Sequence, residues 1–419
     1  MWMVLADSAF SRLLRLNPAV PWATIGVLER APTVTTQFPL HQDLRAGVRA
    51  LCDRYPTSYW RALDREGAYP DAFVTAMTAA GYLSALIPEE FGGGGLGIAE
   101  ASIILEAVNR SGGNAGVCHA QMYTMGTVLR HGADAQKRRY LPEIAAGRLR
   151  LQAFGVTEPD AGVDTLGLRT TAVRRGDHYV VNGQKMWTSR VQHSDLMLLL
   201  ARTTPADQVA RRTDGLSVLL VDLRQAVGHG LTVQPIETMF THFTTQLFIE
   251  DLEVPVENLI GEEGKGFRYI LDGMNAERIL IAAECVGDGD WFIERSTAYA
   301  NERVVFGRPI GQNQGVQFPI ARSYASVRAA DLMRWDAARK FDAGEPCGPE
   351  ANMAKLLASE ASWEAANAAI QTYGGMGFAR DADIERKFRE TRLYQVAPVP
   401  TNLVLAYLGQ NVLGMPRSY

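Results

Sequence analysis

At 419 residues the chain is long enough for two or three cooperating subdomains around large cores. Hydrophobic residues make up 47% and charged residues 21%, the balance of an ordinary globular enzyme, and a net charge of −4 offers no basic field for nucleic acid. No apolar run is long enough to span a bilayer. The seven histidines form no H-x-x-x-H pair, and Cys52, Cys118, Cys285 and Cys347 show neither C-x-x-C nor metal spacing, so no dedicated metal site is expected and the cysteines read as reduced thiols.

Residues 1–38 read as an N-terminal extension. Leu5, Phe10, Leu13 and Leu14 with Arg12 and Arg15 are spaced for a short amphipathic helix, which Pro18, Pro21 and Pro32 break up. A flexible extension or a start codon assigned too early is favoured over a transit peptide, because Asp7 and Glu29 are out of place in one. A cytoplasmic location is expected, with the mitochondrial matrix as the alternative if the segment is a transit peptide.

Residues 39–150 read as helices. Asp71 to Ala80 fits an amphipathic helix ended by Gly81, and Ile98–Asn109 and Gln136–Ala146 look similar. The run Phe91-Gly92-Gly93-Gly94-Gly95 is a connector without the spacing of a dinucleotide loop. Residues 151–263 change texture. Tyr179-Val180-Val181, then Asn182-Gly183, then Gln184 to Trp187 predicts a hairpin on a type I′ turn. Leu196–Leu200, Leu216–Val221, Leu231–Ile236 and Gln246–Val254 are further strand candidates, the last closed by Pro255, and together they suggest a small β-barrel or sandwich. From 264 to 419 helical patterns return, one starting near Gly264 and another running from Met353 to Ile370. The fold class is α+β, in the order helical, β, helical.

The stretch from Phe154 to Ser189 carries the chemistry. It opens with hydroxyl, carboxylate and glycine close together (Thr157, Glu158, Asp160, Gly162, Asp164), and closes on Trp187 beside Thr188 and Ser189. An indole to pack on, with hydroxyls and backbone donors at its edge, suits a flat aromatic ligand with polar edges, such as a flavin.

Five pieces in order carry a family resemblance: V-T-E-P-D-A-G-V-D (156–164), N-G-Q-K-M-W-T-S (182–189), N-L-I-G-E-E-G-K-G-F (258–267), R-V-V-F-G-R-P-I-G-Q-N-Q (303–314) and Q-T-Y-G-G-M-G-F (371–378). The chain resembles the acyl-CoA dehydrogenase family over roughly residues 40 to 419. The resemblance implies an N-terminal helical domain, a middle β-domain and a C-terminal four-helix bundle, assembled as a homotetramer or homodimer, with FAD between domains and across a subunit interface. It assigns Phe154, Val156 and Thr157 to the flavin ring and its ribityl side, and Gly162 and Val163 to pyrophosphate or substrate. Val163 stands where the family usually has a serine, which removes a hydroxyl contact. Trp187 matches the residue covering one flavin face; Thr188 follows it, and Ser189 matches the hydroxyl at flavin N5. Arg303, Phe306, Gln314, Gln371, Gly374 and Gly375 match contacts to the FAD of a neighbouring subunit. Arginine pairs with phosphate, and glycine lets backbone approach it.

The reaction implied is α,β-dehydrogenation of an acyl-CoA (or acyl-carrier-protein) thioester, with electrons passed to an electron-transfer flavoprotein. It needs a buried carboxylate to take the α-proton. Many family members carry that glutamate in a short E-G-T segment, where Pro398 stands here. Glu277, on the helix of the C-terminal domain and on one face with Met274 and Ile281, is the expected base; the alternative for it is a salt bridge. Glu284 is read as structural. Pro398 also lacks the N–H that the family aims at the thioester carbonyl, so either Val399 supplies one by a one-residue shift, which would also carry Thr401 to FAD, or a donor is missing. Asn275 matches a residue reaching the pantetheine, and Arg278 joins it on the substrate side. His119, Gln121 and Tyr123 are either acyl-pocket residues or satisfied core polars, and Lys185 and Asp164 are expected to hold the loop. A flavin-dependent monooxygenase of the same fold, or a flavoprotein that binds acyl groups without turnover, are the alternatives.

Overall fold

The computed structural model describes residues 39–417. Contacts divide it after Gln42, and the compact unit from Asp43 onward holds nearly all of the described residues. The helix expected near Leu5 to Arg15 lies outside the described residues.

The first helices are α1 (Pro39–Cys52), α2 (Thr57–Glu66), α3 (Asp71–Ala79), α4 (Ile98–Arg110), α5 (Ala120–His131) and α6 (Asp134–Ala145). The expected stop after α3 is there: Gly81 takes φ +78, a conformation glycine adopts without strain. α4 starts on half of a capping box, the Gly97 N–H donating to Glu100 Oε2 at 3.0 Å. The glycine connector spends its donors on the chain itself: Gly93 N–H donates to Pro88 O, Gly94 to Ser84 O and Gly95 to Ile87 O. Those groups are not free to cradle a phosphate.

Eight strands follow: β1 (Leu151–Gly155), β2 (Thr171–Arg175), β3 (His178–Ser189), β4 (Leu196–Arg202), β5 (Leu216–Asp222), then the one-turn helix α7 (Leu223–Ala226), β6 (Leu231–Pro235), β7 (Thr244–Pro255) and β8 (Leu259–Ile260). Hydrogen bonding runs β6-β7-β3-β2-β4-β5-β8, with β1 parallel to β4. The link in the middle is slight, because β2 meets β4 through Thr171 and Arg202 alone. The sheet therefore folds into two halves, and an apolar core joins them: Tyr179, Val181, Leu247 and Leu252 on one side, Met197, Leu199, Leu219 and Val221 on the other. The alternate residues Leu196, Leu198, Leu200, Leu216, Val218 and Leu220 face the opposite way, against Met125 and Val128 of α5 and Leu141 and Ile144 of α6. Burial on both faces explains why β4 reads as an unbroken apolar run.

One expectation is corrected. Asn182-Gly183 is not a hairpin turn; it lies inside β3, and β2 joins β3 at Gly176-Asp177 instead, with Arg175 opposite His178. The register of β3 against β7 shifts between Val181 and Gly183. The Asn182 amide spans that irregularity, accepting from Asp251 N–H at 2.9 Å and donating to Asp251 Oδ1 at 3.0 Å. A Cβ at Gly183 would lie 2.5 Å from Thr170 Oγ1. The residue types that favour a tight turn serve a bulge and a close backbone approach here.

The remainder is helical: α8 (Gly266–Glu302), a small β9–β10 ribbon (Val304–Val305 with Arg308–Pro309), α9 (Gln314–Asp342), α10 (Gly348–Tyr373), α11 (Ile384–Thr391) and α12 (Thr401–Tyr407). Three long helices and the short α11 make the bundle. α8 is its axis and lacks a solvent face through its middle: residues 279–292 are all buried. It packs tightly on α4, where a Cβ at Gly287 would lie 2.4 Å from Glu106 O and 3.0 Å from Arg110 N. Backbone cannot yield as a flexible side chain would, so Gly287→Ala is expected to destabilise the fold by about 1–3 kcal/mol. Chemical denaturation checks this; an unchanged midpoint would show that α4 and α8 can separate freely.

Candidate functional site

Lys185 is fully buried on β3, and its ammonium donates to Glu158 Oε1 at 2.8 Å and to Val156 O at 3.1 Å. Glu158 in turn accepts from the N–H groups of Arg169 at 2.6 Å and Thr170 at 3.0 Å. The segment leaving β1 is thereby fixed on β3, and Met186 N–H closes the arrangement on Thr157 O at 2.8 Å. Burial alone would raise the Glu158 carboxyl, but the Lys185 ammonium together with the hydrogen bonds from Thr170 and Arg169 holds the acid below its ordinary value. Burial pulls Lys185 down to about 8 against the attraction of Glu158, which leaves it charged at neutral pH. Lys185 is thus a loop anchor as expected, and Asp164 plays the lesser part, pairing with Arg212 at 3.2 Å on the surface.

The fastened segment brings Phe154, Val156 and Thr157 alongside the end of β3. There the β3–β7 register shifts between Lys185 and Thr188, and Trp187 takes φ +62 and is 54% exposed. A non-glycine residue in that region costs about 1–3 kcal/mol and persists where the surroundings impose it. Thr188 is buried, its carbonyl accepting from Thr245 Oγ1 at 2.7 Å while its own Oγ1 has no partner. Ser189 is half-buried beside it, and Gly162 and Val163 are exposed.

Four carboxylates are buried within fourteen residues of α8: Glu277, Glu284, Asp288 and Asp290. Three have basic partners. Asp290 meets Arg110 at 3.3 Å and also pairs with Arg328; Lys387 reaches Asp288 Oδ1 at 2.6 Å; His119 Nδ1 lies 2.6 Å from Glu284 Oε1. Glu277 has no basic side chain at ion-pair distance among the described residues; the Tyr123 hydroxyl is its hydrogen-bond partner. Burial pushes its carboxyl up to about 7, although Arg278, Tyr123, Arg190 and Lys355 all pull the other way. The Tyr123 hydroxyl is pushed up strongly, by burial and by Glu277.

The three α5-region candidates separate. His119 is a satisfied core polar on Glu284, Gln121 donates to Leu83 O at 3.4 Å, and Tyr123 alone belongs to Glu277. Nothing local marks the His119–Glu284 pair, whose members are 165 residues apart. On α8, Arg278 Nη1 donates to Asn275 Oδ1 at 3.1 Å, leaving the Asn275 amide N–H groups to other partners. Pro398 is exposed, while Val399 is held by Lys355 Nζ, which donates to its carbonyl at 2.6 Å. Val399 N–H donates to no acceptor among the described residues. The Thr401 hydroxyl donates to Gln395 O at 3.2 Å, a local role at the start of α12.

Arg303, Phe306, Gln314, Gln371, Gly374 and Gly375 gather at the other end of the bundle, all exposed. Stacking of Tyr299 on Tyr373, with ring centroids 4.1 Å apart, ties the end of α8 to the end of α10 there. Glu277 and Glu302 are separated along α8 by about 38 Å at 1.5 Å per residue. The bundle-end set therefore lies far along α8 from Glu277.

Family models for the acyl-CoA dehydrogenase N-terminal, middle and C-terminal domains match residues 39–148, 153–252 and 264–402. The chain belongs to the acyl-CoA dehydrogenase family. Acyl-CoA dehydrogenase fadE12 of Mycobacterium bovis is 33% identical over 381 residues, covering 90% of this chain and 97% of the relative. A solved glutaryl-coenzyme A dehydrogenase in complex with glutaryl-CoA superposes with a TM-score of 0.84 at 29% identity, covering 91% of this chain and 97% of that one. The prolyl acyl carrier protein oxidase AnaB gives 0.84 at 25% identity, over 90% and 99%. The three-domain fold is that of the family, as the motifs led one to expect, and the protein is an FAD-dependent oxidoreductase acting on CH–CH bonds. Its residues fit the cofactor. Thr188 Oγ1 is a buried hydroxyl awaiting a partner, Trp187 presents an exposed indole, and open space surrounds Gly162, Gly374 and Gly375 where a Cβ would stand.

Lys185→Met would leave Glu158 buried without its cation. A loss of about 3 kcal/mol in stability is expected, together with weaker FAD retention. Thermal denaturation and flavin content after gel filtration check this; a fully flavinated variant of unchanged stability would remove the anchor role.

Proposed function

We propose that the chain oxidises an acyl thioester to its trans-2-enoyl form and passes the electrons to an electron-transfer flavoprotein, with Glu277 as the base. The observation that carries this reading is the treatment of the α8 acids: Glu277 is the one buried without a basic partner at ion-pair distance among the described residues. A carboxylate locked to a cation is a poor base; one desolvated and raised to about 7 is matched to proton abstraction at neutral pH. The Tyr123 hydroxyl orients the carboxyl and keeps it from rising further. Asn275 and Arg278, one turn apart on the same helix, are suited to the thioester arm. With Pro398 unable to donate, Val399 N–H is our candidate for polarising the carbonyl. Phe154, Val156, Thr157, Gly162, Val163, Trp187, Thr188 and Ser189 would hold the flavin end of FAD, with Thr401 beside it. When bound, FAD supplies the acceptor for the hydride that leaves the β-carbon. The distance along α8 supports an assembly of two or four copies, in which Arg303, Phe306, Gln314, Gln371, Gly374 and Gly375 serve a neighbour's cofactor.

The base acts when ionised, so kcat/KM should fall about tenfold per pH unit below about 7, the value of Glu277. In Glu277→Gln, FAD should remain bound while anaerobic bleaching by acyl-CoA, or by an acyl carrier thioester, disappears. Half-reaction rates equal to the wild type would remove Glu277 from the mechanism. Trp187→Ala is expected to weaken FAD retention or alter the flavin spectrum; an unaltered holoenzyme would show that the indole does not cover the ring.

A further inference from the structure

Arg190 follows Ser189 at the end of β3. It is 4% exposed, its backbone lies at φ +62, and its N–H donates to Phe243 O at 2.7 Å. Its side chain crosses to the segment between α4 and α5, where Nη1 donates to the carbonyl of Gly116. The rest of the guanidinium is poorly served. Nε is buried without a partner, and no carboxylate lies at ion-pair distance among the described residues. The two most buried arginines are treated otherwise: Arg334 is held by Glu106 and Asp331, and Arg386 by Glu390 and Asp383. The groups that sense the Arg190 charge include Glu277, Tyr123 and His242. His242 is kept neutral there, by burial first and then by Arg190 and His119, so it adds no second cation beside the guanidinium.

We propose that Arg190 determines specificity by receiving a carboxylate carried on the acyl chain, making the substrate a dicarboxylyl monothioester. This rests on the dehydrogenase reading with Glu277 as base. A buried guanidinium without a counter-ion is unfavourable, and its planar fork matches a carboxylate in two parallel hydrogen bonds. A plain alkyl chain would leave the cation desolvated and unpaired. Glu277 cannot stay its counter-ion, because the base loses its charge on taking the α-proton.

The test uses the FAD-loaded enzyme with glutaryl-CoA and adipoyl-CoA against pentanoyl-CoA and hexanoyl-CoA. Flavin bleaching gives kcat/KM, and calorimetry gives affinity. The dicarboxylyl thioesters should be preferred by about 10²-fold. Arg190→Gln should bring the ratio near unity, and Arg190→Lys should keep part of it. A purely structural tie to Gly116 would lower both substrate classes together in Arg190→Gln, and that result would overturn the proposal, as would equal or better use of the neutral thioesters by the wild type. If no thioester bleaches the flavin, the dehydrogenase reading fails and calorimetry decides separately. Tighter binding of the dicarboxylyl thioesters that vanishes in Arg190→Gln sustains the role of Arg190; equal binding, or none, refutes it.

Discussion

Everything about this molecule turns on the cost of burying carboxylates along α8. An acid in a low-dielectric interior must be paired, or must surrender its charge. The fold recruits a separate element for each pairing: α4 and α9 for Asp290, α11 for Asp288, and the entry to α5 for Glu284. Those contacts also hold the N-terminal helices to the bundle, so the polar groups of the axis double as its fastenings. Glu277 falls outside this provision and has only a phenol for company. The contrast in pairing within one helix sets Glu277 apart from the other three acids and is what the proposed role of Glu277 rests on.

The middle domain answers a different requirement. Its strands close with one slender contact between halves, and the apolar interior joins them. Such a body can present its rim freely, and the rim is where Thr157, Trp187 and Thr188 converge. The positive φ angles of Trp187 and Arg190 are concentrated on that rim, next to an ion pair buried on β3. Rigidity below and strain above is the pattern expected of a surface that meets a planar ligand.

Much of this is legible in the sequence. α3, α4 and α6 declare themselves by their periodicity and stops, whereas Glu277 is picked out by the family resemblance, apolar neighbours at helical spacing saying only that its carboxyl faces a dry environment. The Asn182-Gly183 dipeptide misleads because its local preference is satisfied equally by a bulge, and only the approach of Thr170 decides between them. β1 gives little signal because five residues leading into a glycine-rich and acidic segment look like part of the turn. The partner of Glu284 cannot be foreseen, since a histidine 165 residues away carries no mark of its destination. Arg190 is silent for a related reason: an arginine after a strand is usually solvated, and its burial is a property of the tertiary fold.

The provenance of those pairings bears on how the polypeptide matures. Asp288 awaits Lys387, almost a hundred positions downstream, and Asp290 draws on Arg110 before it and Arg328 after it, whereas Glu284 meets a histidine synthesised long before it. Until the last quarter of the chain emerges, Asp288 therefore has no cation to meet it. Non-local closure of this kind slows folding and leaves apolar surface uncovered in the meantime. The nascent protein is committed to a late, concerted consolidation in which the interior of the bundle is sealed only when synthesis is nearly complete.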